Sequence, residues 1–246
     1  MTTLSLHQTR HWIKSSPHPL ARTLLHTIKQ IRGAEIPAPR LLFTPLYSGY
    51  RLLQTLLSTI TRTLLWTPLF KGRLQEAGRN LYLYGGIPYI SGPLQIELGD
   101  NCRISGQTTF SGRTTASPLP LLKVGSNVDI SWMTTIAVGS RVELHDNVRI
   151  AGGGLLAGYP GHPLDARARA AGLPELDEQV GAIILEKDVW LATGVYVMAG
   201  VHIGRGTVVA AGSIVTHDLP AGVLAAGAPA RVIRPLKQTC SEHHET

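Results

Sequence analysis

The sequence is poor in charge, in cysteine and in acidic residues near its start. Only 16% of its 246 residues are charged, a proportion that suits repeating units stacked on one another, whose faces meet neighbours rather than water. Two cysteines, Cys102 and Cys240, form no CxxC, which excludes a redox or zinc pair of that kind and predicts free thiols in a reducing compartment. The opening residues MTTLSLHQTRHWIK lack an apolar h-region and a small-residue cleavage site, so no signal peptide is expected and residence is predicted to be cytoplasmic. In residues 1–80 no charge-free stretch is longer than that from Leu52 to Thr61, well short of a membrane span. GxSxG, Walker and Rossmann signatures are all missing, which argues against a serine acyl-enzyme and against nucleotide binding of those types.

Acidic residues are scarce where basic ones are plentiful. Residues 1–80 hold 11 Lys and Arg against Glu35 and Glu76, whereas residues 81–246 hold 12 against 14. The net charge of +7 therefore belongs to the first third of the chain. Its basic residues follow leucine-rich helices without aromatic interleaving or a reader motif, and nucleic acid is not expected as a partner.

What the chain has is a period of six. From Leu185 an aliphatic residue returns at Leu191, Val197, Ile203, Val209 and Val215. Three places after each stands Asp188, Gly194, Gly200, Gly206, Gly212 or Asp218. The fifth places, Val189, Val195, Val201, Thr207, Ser213 and Leu219, supply a second inward residue. A helix would space its apolar residues by three or four and a plain strand by two, so this phase predicts a coil of short strands joined by tight corners. Cys102 takes an inward fifth place in the hexad that begins at Leu98.

Around that segment the organisation follows. Residues 1–80 read as a helical arm interrupted by prolines, with Leu52, Leu53, Leu56, Leu57, Ile60, Leu64 and Leu65 on one helical face. Residues 81–235 read as the coil. LYGGIPYISG is taken as an irregular cap, and Leu98, Ile104 and Phe110 as the first turn. A Pro-rich excursion begins at Arg113, the phase returns at Val124, Ile130 and Ile136, and it slips by two residues to Val138. It is lost over residues 157–182, a 26-residue insertion of the length that in a compact domain is functional or disordered. Residues 236–246 read as a polar tail.

DVWLATG from Asp188, GAPARVIRP from Gly227 and GHPLD from Gly161 resemble the hexapeptide-repeat acyltransferases, most nearly their galactoside, maltose and xenobiotic acetyltransferase branch. The resemblance covers about Val124 to Pro235. It implies a left-handed parallel β-helix, a homotrimer and acetyl-CoA as donor. It also implies that His162, in its GHP setting, is the general base between the coils of two subunits; imidazole suits that task near neutrality. Asp165, Glu175, Asp177 and Glu178 share the insertion, and the sequence does not choose which orients the ring. For coenzyme A the resemblance implies Trp190, Thr193, Ala211, Thr216, Arg231 and Arg234. Small corner residues would leave backbone groups open along a groove for extended pantetheine, and the two arginines would meet phosphates. His217 stands where relatives often carry Lys.

On the acceptor side the resemblance fails, because Met133 and Gly139 stand where galactoside-type enzymes carry an Asn and an Asp. Trp132 would instead offer a flat face to a pyranose ring, and Ser131, Thr134 or Tyr159 would supply hydrogen bonds; each also fits as packing or a turn. The related γ-type carbonic anhydrases use two His separated by four residues on zinc; the coil has no such pair, and no metal is expected. His145, His202 and His217 fall at outward or corner places.

The expectation is an O-acetyltransferase acting on a sugar hydroxyl of a surface-polysaccharide or lipid-linked glycan precursor. The basic arm either lies on an anionic membrane surface or packs on the coil or a neighbouring subunit. The alternatives are an N-acetyltransferase of an amino sugar or small molecule, and a non-catalytic β-helix scaffold.

Overall fold

A computed structural model of the chain describes residues 6–237. Cys240 and all but the first two residues of the polar tail lie outside the described residues. The chain divides into two compact units between Gln54 and Thr55.

In the first unit, helices Leu6–Ser15 and Pro19–Arg32 pack against each other around the buried Ala21. Pro19 opens the second of these where its missing N–H costs nothing, and Pro37 and Pro39 precede the third. That third helix, Arg40–Thr61, carries Pro45 without breaking, and the interruptions of the arm fall at Pro17 and at Pro37 and Pro39. None of its residues is buried.

The helical path continues through a π-helical turn, Arg62–Trp66, into helix Thr67–Lys71. Phe70, within the segment read as arm, is part of the coil's core, and the Lys71 ammonium donates to the Gly78 carbonyl at 2.7 Å.

The coil has three faces, which we call A, B and C. Its first turn is Glu76–Ala77, Tyr82–Tyr84 and Tyr89–Ser91; its second is Gln95–Leu98, Arg103–Ser105 and Thr109–Gly112. The third comprises Leu121–Val124, Asp129–Ile130 and Thr135–Val138, and the fourth Arg141–Leu144, Arg149–Ile150 and Leu155–Ala157. The fifth comprises Ile183–Leu185, Trp190–Leu191 and Tyr196–Met198, and the sixth His202–Ile203, Val208–Val209 and Ile214–Val215. Each strand pairs in parallel with its counterpart one turn on, so three ladders run along the coil. This is a left-handed parallel β-helix with N-terminal helices, mainly β as expected.

The hexads point as their phase predicts. Leu185, Leu191, Val197, Ile203, Val209 and Val215 are buried, as are the fifth-place residues from Val189 to Leu219. Asp188 (φ 66°), Gly194 (φ 69°) and Gly212 (φ 70°) take the left-handed conformation that the corners require. Asp218 does not; past the last full turn the left-handed residue is Gly222. LYGGIPYISG is not an irregular cap. Leu83 pairs with Ile104 and Ile90 with Phe110, making it two sides of a full turn.

Corner A–B is built on asparagine. Asn80, Asn101, Asn127 and Asn147 all have positive φ, the Asn80 amide donates to Asn101 at 3.0 Å, and the Asn147 amide donates to Asp188 at 2.7 Å. Short amide side chains tolerate this conformation, and stacking them satisfies their polar atoms from turn to turn. Cys102 is buried beneath this corner, and burial pushes its thiol above the ordinary range, so it stays a protonated thiol.

Candidate functional site

The 157–182 insertion leaves the coil at corner C–A. Helix Ala166–Ala170 is capped by Asp165, whose carboxylate accepts from the Ala168 N–H at 2.8 Å. The Arg169 guanidinium donates to the carbonyls of Pro163 at 2.9 Å and Leu164 at 2.8 Å, fixing the backbone just past His162. His162 sits between Gly161 (φ 77°) and the buried Pro163. Its ring is exposed and has no hydrogen-bond partner among the described residues.

Three of the four acids considered for orienting that ring are engaged elsewhere. Asp165 caps the helix, Glu175 accepts from Arg113 Nε at 2.5 Å, and Asp177 accepts from a terminal Arg113 nitrogen at 2.7 Å. Glu178 lines a groove of about 530 Å³ together with Tyr159, Pro160, Leu164, Gln179 and Met198. The Tyr159 hydroxyl donates to Ser111 Oγ at 3.4 Å.

Of the two departures from the galactoside-type pattern, the structure explains Gly139 and not Met133. Met133 holds φ 57° with its side chain exposed. A Cβ on Gly139 would lie 2.4 Å from the Gly158 carbonyl oxygen and 2.6 Å from Val180 Cγ1. The returning limb of the insertion fills the space a carboxylate would need. Trp132 lies on the other corner, B–C, 55% exposed, its indole so close over Gly152 that a Cβ there would be 2.8 Å from its Nε1. Trp132 and Tyr159 thus occupy different corners of one chain.

The residues considered for coenzyme A divide in two. Trp190 pairs with Val208, Val208 with Leu224, and Leu224 with Arg234, forming one row across face B. Strand spacing makes that row about 14 Å long. Trp190 is half exposed, and neither Arg231 nor Arg234 forms an ion pair among the described residues. Thr193 and Ala211 lie at corner B–C beside this row, whereas Thr216 lies at corner C–A next to His217. The corner carbonyls are not all open as the sequence reading supposed. Those of Trp132, Gly152 and Thr193 accept from the N–H groups of Gly153, Gly194 and Gly212 on the next turn.

Sequence reasoning missed Arg113 and Val180. Neither lies in a motif, and both act on residues distant in the chain. His145 and His202 point outward, His202 bonded to Glu186 at 2.9 Å.

The chain thus joins a six-residue repeat to a parallel β-helix, the combination that hexapeptide-repeat proteins show. Residues 182–217 match the family described as bacterial transferase hexapeptide (six repeats). The chain is 36% identical over 115 residues to galactoside O-acetyltransferase of Escherichia coli, covering 47% of this chain and 54% of that protein. It is 33% identical over 145 residues to galactoside O-acetyltransferase of Lactococcus lactis, covering 58% and 64%. It spans about half the length of the curated relatives it matches, from 44% to 64%. Among solved structures, a mutant of AntD, an N-acyltransferase from Bacillus cereus, in complex with dTDP and coenzyme A, has the same fold. Its TM-score is 0.57 at 24% identity, over 70% of this chain and 89% of that one.

Proposed function

We propose that the protein is an acetyl-CoA-dependent O-acetyltransferase for a sugar hydroxyl of a surface-polysaccharide or lipid-linked glycan precursor, acting by direct transfer as a homotrimer. The observation that carries this reading is the insertion: a long loop, tied at both limbs, holding an exposed imidazole without a hydrogen-bond partner among the described residues. In this reading His162 takes the hydroxyl proton as the oxygen attacks the thioester carbonyl. The tetrahedral oxyanion is stabilised by a donor at the subunit boundary, the C–S bond breaks, and the imidazolium returns the proton to the CoA thiolate. The donor lies along the Trp190–Arg234 row, with Thr193 and Ala211 beside it and Arg231 and Arg234 free to meet its phosphates. No metal takes part.

Acetyl-CoA is mixed with the protein and a membrane glycolipid extract, and CoA thiol release is followed. Extract-dependent release is expected. Absence of both release and acetyl-CoA binding would leave a scaffold, and faster turnover of an amino sugar than of its hydroxyl counterpart would move the enzyme to N-acetyl transfer.

The arm belongs to the same reading as a surface anchor on the cytoplasmic face of a membrane. Leu53, Leu56, Leu57 and Ile60 are all more than half exposed on helix Arg40–Thr61. No helix among the described residues is long and apolar enough to cross a membrane. Basic residues near an anionic leaflet add about 1 kcal/mol each, and the leucines can enter the headgroup boundary. Co-sedimentation with phosphatidylserine-containing vesicles is expected and should weaken as salt is raised. Asn at all four positions should lower binding more than 10-fold; undiminished binding by that variant would remove the leucine face from the account.

A further inference from the structure

We propose that Arg113 is a positioning residue, the latch that holds the 157–182 insertion on the coil and so sets the reach of His162. The catalytic part of this statement rests on His162 being the base.

Arg113 starts the Pro-rich excursion at corner C–A, and its own N–H donates to the Val138 carbonyl at 3.0 Å, so its backbone is pinned to the third turn. From there its guanidinium makes three separate contacts with the insertion. Nε donates to the Glu175 carboxylate at 2.5 Å, one terminal nitrogen to Asp177 at 2.7 Å, and the other to the Glu175 backbone carbonyl at 3.2 Å. The side chains of Arg113 and Glu175 are only 8% and 6% exposed, and Thr115 Oγ1 adds a longer contact to the same carboxylate at 3.5 Å.

A planar fork that spans two carboxylates and a carbonyl specifies an orientation that an ammonium or an apolar contact cannot reproduce. A buried ion pair adds little net stability compared with well-packed apolar groups, and fixing one arrangement is its better-attested use. That arrangement reaches His162. Glu175 and Leu176, held by the fork, line a small cavity against Pro163 and Leu164, the two residues after His162. Two steps further, Glu178 and Gln179 form a wall of the groove that Tyr159 and Pro160 close on the other side. Val180 then clamps the returning limb over Gly139. Releasing the fork frees this limb and with it the segment against which the His162 loop is seated.

The insertion carries its own reporter, because Arg167 and Arg169 are exposed trypsin sites. Arg113→Met, Arg113→Lys and Asp177→Asn would be compared with wild type by tryptic cleavage at 167–169, by thermal melting, and by the CoA-release assay. The Asp177 side chain is 92% exposed, so Asp177→Asn disturbs packing least. We expect cleavage at least 10-fold faster in Arg113→Met, little rescue by Arg113→Lys, and an intermediate rate in Asp177→Asn. All three should keep a cooperative melt. Turnover should fall at least 10-fold in Arg113→Met with the KM for acetyl-CoA unchanged, since the proposed donor row lies on another face.

Cleavage at the wild-type rate in Arg113→Met and Asp177→Asn would overturn the latch. Faster cleavage with unchanged turnover would overturn the positioning role. If wild type itself releases no CoA with any acceptor, the assignment of His162 fails, while the cleavage rates still decide whether Arg113 holds the insertion.

Discussion

His162→Ala is expected to lower acceptor-dependent CoA release by about 10²- to 10⁴-fold, the range a single general base supplies. Acetyl-CoA binding should be unchanged, because His162 lies in the insertion at corner C–A whereas the Trp190–Arg234 row crosses face B. The ring is exposed, with no hydrogen bond among the described residues to lose, so the variant should melt at the wild-type temperature. Loss of turnover with binding and melting retained is therefore a signature of chemistry rather than folding. Turnover within 3-fold of wild type would remove His162 from the mechanism and send the search for a base to Glu178 and Tyr159, which line the adjoining groove.

Phe110→Ala should destabilise the coil by about 3–5 kcal/mol. Phe110 is 1% exposed and pairs with Ile90 on the turn before and Ile136 on the turn after. Alanine would leave a void between three consecutive turns, whose backbones cannot close it because their hydrogen-bond ladders fix the spacing. Each turn is supported only by its neighbours, so loss at the second turn should uncouple the first turn before the later ones. Denaturant unfolding followed by tryptophan fluorescence should report the chain as a whole through Trp12, Trp66, Trp132 and Trp190, and amide exchange should separate the earlier turns from the later. A single transition shifted by less than 1 kcal/mol would show that the first turn contributes little to the cooperative unit.

The later turns were legible in sequence because successive inward residues there stand six apart, so Leu185 to Val215 keeps one phase. The first turn was not. Leu83 and Ile90 are seven apart where Ile104 and Phe110 are six, and the extra residue falls in the corner holding Gly85 and Gly86. A single added corner residue hides a strand from a periodicity argument while leaving its pairing intact.

His162 stood out through its motif and its place in the longest stretch without phase. Its surroundings did not, because Arg113 and Glu175 are joined by 62 residues of chain and meet only when the coil has stacked. Gly139 was legible as a missing acid and illegible as a filled space. The reason lies in Val180, a residue that composition and spacing leave anonymous.

The end of the coil has one more consequence. After five parallel steps from turn to turn, face B is extended by Val223–Gly227 and then by Ala230–Pro235, which runs antiparallel. A strand of reversed direction cannot template another turn in the register of the coil, so a second molecule arriving head to tail finds no continuing ladder on that face. On face B, a fold whose every turn is an invitation to add the next is therefore closed to the same parallel pairing by the direction of a six-residue strand.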